Sequence, residues 1–190
     1  MIIGVWGDSI VYGQCDAEGL GWVGRLRNSF PIDQWKHAYN RGVCGDTSLG
    51  LLKRFPSEAE SIQPDVVVFA IGINDSKIPK GTTRALVSIG EYENALRELV
   101  RHAKTITKQV FVISATNVDD QEARIRGEST FSNTSIKKYN QVMKRVAEEE
   151  RVGYIDVFDV LSREDLHDGL HPNAQGYEKL FATIKPQLVV

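Results

Sequence analysis

The chain has 190 residues, of which 42% are hydrophobic and 25% are charged, and its formal net charge is −2. This length suits one folded domain, so we predict a single domain over residues 1–190. No long run of one charge sign occurs, which argues against a nucleic-acid surface or a polybasic membrane patch. No apolar stretch approaches the roughly 20 residues of a membrane span, so we expect no stable membrane anchor.

Short apolar runs rich in β-branched residues predict four strands along the chain, and His37–Asn40, which has no β-branched residue, is a weaker candidate for one more. The first run begins at Ile2 without a basic leader segment, so we expect a cytoplasmic protein unless a signal peptide has been trimmed. After Asp65 the third predicted strand is continuously apolar, which is typical of a strand covered on both faces of a parallel sheet. The predicted strands are Ile2–Trp6, His37–Asn40, Asp65–Ile71, Gln109–Ala115 and Val152–Val157.

Amphipathic segments alternate with these strands. Such alternation favours a parallel sheet with helices on both faces, and right-handed crossovers leave few strand orders. We therefore predict a flavodoxin-like three-layer α/β/α sandwich whose five-stranded parallel sheet has the order 2-1-3-4-5. The predicted helices are Trp22–Phe30, Ser48–Ile62, Tyr92–Thr107, Ser132–Glu150 and Ala174–Leu188.

The residues directly after each strand are the candidates for a functional site, because ligands of open parallel sheets bind beyond the carboxyl ends of the strands. Ser9 follows the first strand within Gly7-Asp8-Ser9. A serine hydroxyl is a poor nucleophile unless a base lies within hydrogen-bond reach and a third group orients that base. A Gly-Asp-Ser turn alone is more often structural, and Gly7 there permits a tight turn.

A second candidate segment is Asp168-Gly-Leu-His171-Pro172 near the C-terminal end. Pro172 disfavours helix at His171, and Asn173 is a predicted N-cap of the last helix. From three residues upstream, the Asp168 carboxylate can reach Nδ1 of His171 and leave Nε2 free as a base. Taken alone, this segment is equally well interpreted as a turn with a capping aspartate.

Acyl transfer also needs donors for the oxyanion that develops in the transition state. Gly45 precedes a predicted helix start, and Asn74 follows the third strand within Gly72-Ile-Asn-Asp75. The backbone N–H of Ser9 offers a third donor. Each of these loops alone is common turn chemistry.

Four sequence blocks occur in order, each at a predicted strand end. They are Gly7-Asp8-Ser9-Ile10, Gly45-Asp46-Thr47, Gly72-x-Asn74-Asp75 and Asp168-x-x-His171-Pro172. With these blocks the chain closely resembles the SGNH hydrolase superfamily, also called the GDSL lipase/esterase family, over nearly its whole length. The conservative replacement of the family's leucine by Ile10 is the one departure.

The resemblance implies a role for each predicted site residue. Ser9 would be the nucleophile, His171 the general base and then the acid, and Asp168 the orienting partner of His171. The oxyanion donors would be the backbone N–H groups of Ser9 and Gly45 and the side chain of Asn74. The resemblance also implies a flavodoxin-like fold and no need for a metal or an organic cofactor.

We therefore expect a serine esterase that hydrolyses small or short-chain carboxylic esters of small molecules through an acyl-enzyme intermediate. The alternative within this chemistry is removal of O-acetyl groups from a carbohydrate. An alternative from another class is a flavodoxin-like module that binds a phosphate ligand, although no Gly-x-Gly-x-x-Gly pattern follows the first strand. Acyl chain length, the alcohol, the oligomeric state and the roles of the long connections 76–88 and 117–132 stay open.

Two cysteines, Cys15 and Cys44, are too few for a disulfide scaffold. Both lie near the predicted active loops in sequence. We expect them to be buried or inert thiols, with a place in the pocket lining as the alternative.

Overall fold

The structure, a computed structural model, describes residues 1–32, 34–121 and 129–188. Parallel strands form its centre. The strands are β1 (Ile2–Gly7), β2 (His37–Gly42), β3 (Val66–Ala70), β4 (Ile78–Pro79), β5 (Gln109–Ile113), β6 (Ser129–Thr130) and β7 (Gly153–Ile155). Five of them form one sheet in the order β2-β1-β3-β5-β7, with every pairing parallel. They correspond to the five predicted strands in their predicted order, so the predicted fold is confirmed. The two-residue strands β4 and β6 pair antiparallel outside this sheet.

Helices cover both faces of the sheet. They are α1 (Ser9–Tyr12), α2 (Gly21–Asn28), α3 (Ser48–Ile62), α4 (Ile73–Ser76), α5 (Ile89–Ile106), α6 (Asn133–Glu150) and α7 (Ala174–Ile184), with 3-10 turns at Arg163–Asp165 and Lys185–Gln187. On one face α2 and α7 bury Trp22 and Tyr177 against the sheet. On the other, Phe55 of α3, Leu99 of α5 and Met143 of α6 form a second apolar layer. No helix among the described residues is long and apolar enough to cross a membrane.

Two helix boundaries differ from the predicted ones for identifiable reasons. Helix α5 begins at Ile89 rather than at Tyr92, because Ser88 and Glu91 form a reciprocal capping box one turn earlier. The last helix ends at Ile184 and continues only as a 3-10 turn. Pro186 lacks an N–H and its ring clashes with the preceding helical turn, so the α-helix does not reach Leu188.

Gly7 ends β1 where the backbone of β3 comes very close. A Cβ at this position would overlap the Ala70 carbonyl oxygen and lie 2.5 Å from Val11 Cγ2. The φ of Gly7 is not positive. Close approach to the neighbouring strand, rather than a left-handed turn, therefore requires glycine here.

Gly7→Ala is accordingly expected to lower the free energy of unfolding by about 1–3 kcal/mol, as overpacking does elsewhere. Denaturant unfolding followed by tryptophan fluorescence measures the change. Gly90→Ala is the matched control, because a Cβ at Gly90 meets nothing within 4 Å and alanine favours the helix. Equal stability of Gly7→Ala and Gly90→Ala would contradict this account.

Candidate active site

Ser9 opens the one-turn helix α1 directly after β1. Asp8 is the N-cap of this helix, and its carboxylate accepts a hydrogen bond from the Ile10 N–H at 2.9 Å. Gly13 closes the helix with a left-handed φ of 96° and donates its N–H to the Ser9 carbonyl. These caps hold the Ser9 side chain, which is 6% exposed, at the carboxyl edge of the sheet. As the first helical residue, Ser9 has a backbone N–H without an intrahelical acceptor.

The side chains of Ser9, His171 and Asp168 form one chain of hydrogen bonds. Ser9 Oγ lies 2.9 Å from His171 Nε2, and His171 Nδ1 lies 2.9 Å from Asp168 Oδ2. An ionised carboxylate only accepts hydrogen bonds, so Nδ1 carries the ring proton and Nε2 faces the serine hydroxyl as an acceptor. The structure thus brings together the three residues predicted for nucleophile, base and orienting acid.

The loop before α7 fixes Asp168 in its ionised form. Burial alone would raise the pKa of Asp168, but hydrogen bonds from the backbone and ring of His171 and from the Leu170 N–H hold it below its usual value. The His167 N–H donates to the His171 carbonyl at 2.7 Å and closes the loop. Asn173 then caps α7 as predicted, accepting from the Gly176 N–H at 3.0 Å.

Gly45 and Asn74 line the same cleft as Ser9 and His171. Gly45 has a left-handed φ of 80°, which glycine adopts without strain. Among the described residues, no acceptor takes a hydrogen bond from its N–H. The cleft has a volume of about 320 Å³ and is lined by Ser9, Gln14, Cys44, Gly45, Asn74, Lys77, Ser129, Phe131, Leu170 and His171.

Asn74 lies in the one-turn helix α4, directly after β3. Its Nδ2 donates to the Asp46 carbonyl at 3.0 Å, and its Oδ1 faces Lys77 Nζ at 3.5 Å. Because the Lys77 ammonium can only donate, this contact fixes which way the amide points. One N–H of the amide is satisfied by Asp46, and among the described residues no acceptor is bonded to the other.

The lining includes residues that sequence reasoning missed. Lys77 comes from the connection 76–88, and Ser129 and Phe131 come from the connection 117–132, whose residues 122–128 lie outside the described part. Pairing of β4 with β6 joins the two connections beside the cleft. Cys44 is exposed and lies in the lining, which agrees with the alternative given for this thiol, and its inertness stays a prediction. Two-residue strands carry no periodic pattern that would have revealed this arrangement.

The buried carboxylate of Asp75 connects the loops that carry Gly45 and Asn74. Asp75 accepts from Ser48 Oγ at 2.5 Å and from the Ser48 N–H at 3.0 Å, which links α4 to the start of α3. Burial raises the pKa of Asp75 to about 6, although the bonds from Ser48 oppose that rise. Thr47 is the N-cap of α3, and the neighbouring Asp46 pairs with Arg54 at 2.8 Å.

Asp8 is the most strongly shifted of the site carboxylates. It is 3% exposed and borders an internal cavity of about 30 Å³. Burial raises the pKa of Asp8 to about 7, the negative charges of Asp75 and Asp46 add to the rise, and the Ile10 N–H opposes it. In the unfolded chain an aspartate titrates near 3.9, roughly its peptide value. Between these two pKa values Asp8 is protonated in the folded state and ionised in the unfolded state. The contribution of Asp8 to the free energy of unfolding therefore falls as the pH rises from roughly 4 towards 7.

Asp8→Asn keeps the capping acceptor but carries no charge. We expect the variant to be more stable than the wild type at a pH of about 8, by on the order of a few kcal/mol, with the difference shrinking towards a pH of about 4. Urea unfolding at both pH values checks this. A stability difference that does not change with pH would contradict the assigned protonation.

Comparison with known proteins identifies the family. The model of the GDSL-like Lipase/Acylhydrolase family matches residues 5–179. A multidomain esterase of Ruminococcus flavefaciens is 32% identical over 121 residues, which cover 62% of this chain but only 14% of that protein. An acetylxylan esterase of Geobacillus stearothermophilus is 24% identical over 186 residues, which cover 94% of this chain and 80% of that protein.

Solved structures share the fold. A crystal structure of the acetylxylan esterase Axe2 of Geobacillus stearothermophilus has a TM-score of 0.79 at 21% identity, covering 100% of this chain and 94% of that one. The structure of TesA has a TM-score of 0.80 at 21% identity, covering 100% of this chain and 98% of that one. Catalytic mutants of Axe2 replace a serine, an aspartate or a histidine with alanine. By its sequence match over residues 5–179, the chain belongs to the GDSL-like lipase/acylhydrolase family, and its enzyme class is that of the carboxylic ester hydrolases.

Proposed function

We propose that this chain hydrolyses small or short-chain carboxylic esters, with Ser9 as nucleophile, His171 as base and Asp168 as the partner that orients the base. The observation that carries the proposal is the hydrogen-bond chain Asp168–His171–Ser9, which ends in a cleft lined by Gly45 and Asn74. The family match favours this reaction over the binding of a phosphate ligand.

The proposed reaction runs in two halves. Ser9 Oγ forms a bond to the ester carbonyl carbon while its proton passes to His171 Nε2. The oxyanion is stabilised by the N–H groups of Ser9 and Gly45 and by the Asn74 amide. The tetrahedral intermediate collapses, and the leaving alcohol takes the proton from Nε2. A water molecule then attacks the acyl-enzyme by the same route and releases the acid and the free serine.

The cleft lining supports a small acyl group. Its side chains include the polar or charged Gln14, Lys77 and Ser129, while Phe131 and Leu170 are its large apolar members. A long alkyl chain gains its binding energy from apolar area, and among the described lining residues only Phe131 and Leu170 have large apolar side chains.

A second candidate substrate is an O-acetylated carbohydrate, which is a narrower class within the short-chain esters proposed above. Polar side chains around the cleft provide hydrogen-bond partners of the kind that sugar hydroxyls require. The relative that covers 94% of this chain is named an acetylxylan esterase, and the catalytic serine, aspartate and histidine replaced in Axe2 are of the same three types as the proposed set. A small-molecule ester is the proposed partner, and a cytoplasmic location stays a prediction.

A substrate panel with Ser9→Ala as the blank tests the proposal. The panel is a series of p-nitrophenyl esters of increasing acyl length together with acetylated xylo-oligosaccharides, for which acetate release is measured. We expect kcat/KM to be highest for acetyl esters and to fall as the chain lengthens. Equal hydrolysis by Ser9→Ala would refute the role of Ser9, and a preference for long chains would refute the proposed acyl size. Acetate release from the sugar that is much slower than from the p-nitrophenyl ester would reject the second candidate.

A further inference from the structure

A thiol lies beside the proposed catalytic pair. Ligand atoms of Cys15, Asp168 and His171 lie within 4.8 Å of one another. Cys15 follows α1, whereas Asp168 and His171 belong to the loop before α7. The proposed hydrolysis uses the carboxylate and the imidazole, and it gives Cys15 no part.

The backbone on both sides of Cys15 is fixed to the folded frame. The Gln14 carbonyl accepts a hydrogen bond from the Tyr177 hydroxyl at 2.8 Å. The Asp16 carboxylate accepts from Arg25 at 2.5 Å in an ion pair whose two side chains are almost fully buried. Cys15 itself has a left-handed φ of 67°. The backbone that carries the thiol is therefore held beside Asp168 and His171, and only side-chain rotation is needed to bring the three ligands together.

We propose that Cys15, Asp168 and His171 form a binding site for a borderline-soft divalent cation, zinc above all, and that the bound cation inhibits the enzyme. Thiolate, imidazole and carboxylate are the ligands that zinc takes, at about 2.0–2.3 Å in tetrahedral geometry with water in a fourth position. Nδ1 of His171 and Oδ2 of Asp168 are already 2.9 Å apart, so modest side-chain rotations bring the sulfur into the set. The Asp168 side chain is 38% exposed, which leaves the cation a path from solvent.

The site would act on the base without filling the cleft. When the cation binds Nδ1, the ring proton moves to Nε2, and the Cys15 thiol releases one proton to solvent as it becomes a thiolate. A protonated Nε2 cannot accept the proton of Ser9, so turnover stops. The proposed cation binds the Nδ1 side of the imidazole, whereas the Nε2 side faces Ser9 and the cleft. The substrate can therefore still bind, and we expect kcat to fall while KM changes little. Inhibition rests on the proposed function, whereas binding of the cation does not.

Cadmium provides a direct readout of binding, because a cadmium–thiolate bond has an ultraviolet charge-transfer band. We expect one Cd²⁺ to bind per chain, with this band, in the metal-free wild type and in Ser9→Ala. The same binding is expected in Cys44→Ser, which is the matched control. In Cys15→Ser the band should disappear, and the dissociation constant should rise at least about 10-fold, since even outer-shell changes alter metal affinity by 10- to 100-fold. Cys15→Gly should behave in the same way, and glycine suits the left-handed φ there.

The activity assay adds the functional half of the test. Zn²⁺ should inhibit the wild type reversibly, with activity restored by a chelator, and Cys15→Ser, compared with its own rate without zinc, should need at least about 10-fold more Zn²⁺ for the same fractional inhibition. Mg²⁺, which prefers oxygen ligands, should not inhibit. A band that survives in Cys15→Ser, or one that depends on Cys44, would overturn the site. If no ester is hydrolysed at all, the cadmium titration still decides whether the site exists.

Discussion

Replacing Ser9 with alanine or His171 with glutamine is expected to lower kcat on p-nitrophenyl acetate by about 10⁴- to 10⁶-fold, as the loss of a triad nucleophile or base does elsewhere. Ser9→Ala removes the attacking oxygen. In His171→Gln the Ser9 hydroxyl loses the imidazole nitrogen that lies 2.9 Å away, so no base accepts its proton during attack. Steady-state kinetics with purified proteins measures both losses.

The double variant provides the sharper form of this prediction. Residues that act as one unit are not additive, so Ser9→Ala with His171→Gln should be no slower than either single variant. Asp168→Asn should cost on the order of 10²- to 10⁴-fold, because an amide that donates to Nδ1 selects the wrong tautomer. His102→Gln, which alters a histidine of α5 outside the cleft lining, is the control and should retain activity. Additive losses in the double variant would show that the two residues work separately.

Asn74→Ala is expected to lower kcat by about 10²- to 10³-fold with little change in KM, the usual effect of removing one oxyanion donor. One N–H of the Asn74 amide is held by the Asp46 carbonyl, so the other is preorganised for charge that develops only in the transition state. Asn74→Asp should be at least as slow, because a carboxylate repels the oxyanion.

Two controls separate this role from a structural one. Lys77→Met removes the group that faces Asn74 Oδ1 but leaves the amide donor, and it should change kcat by less than about 10-fold. Unfolding measured on each variant shows whether loss of the bond to Asp46 affects folding. An Asn74→Ala protein that keeps its kcat while KM rises would mean that Asn74 binds the substrate without stabilising the oxyanion.

The fold was predictable because the strands are strongly patterned. The all-apolar run that became β3 is buried on both faces, and chain crossovers then leave few orders for the sheet. The elements α1 and α4 were not predicted, since a single helical turn is too short to show a 3.6-residue period. The start of α5 lies one turn before the first residue of its apolar pattern, because the capping box Ser88-x-x-Glu91 and not the apolar spacing sets it.

The part of the candidate site that lies at the carboxyl ends of the parallel strands was predictable from the sequence. Ser9 and Asn74 each follow a central parallel strand, so their meeting at one edge of the sheet follows from topology alone. The place of Cys15 beside Asp168 depends on how α1 and the loop before α7 pack, which no local pattern encodes. Likewise, Lys77 joins the lining next to the β4–β6 pair, a tertiary contact between two connections.

Covalent labelling tests the central claim most directly. The protein is incubated with a serine-directed fluorophosphonate, and the modified residue is identified by mass spectrometry of peptides. The proposed activation of Ser9 by His171 predicts one adduct, on Ser9, in the wild type, with labelling slowed by orders of magnitude in His171→Gln. An adduct on a different residue, or equal labelling rates in the two proteins, would contradict it.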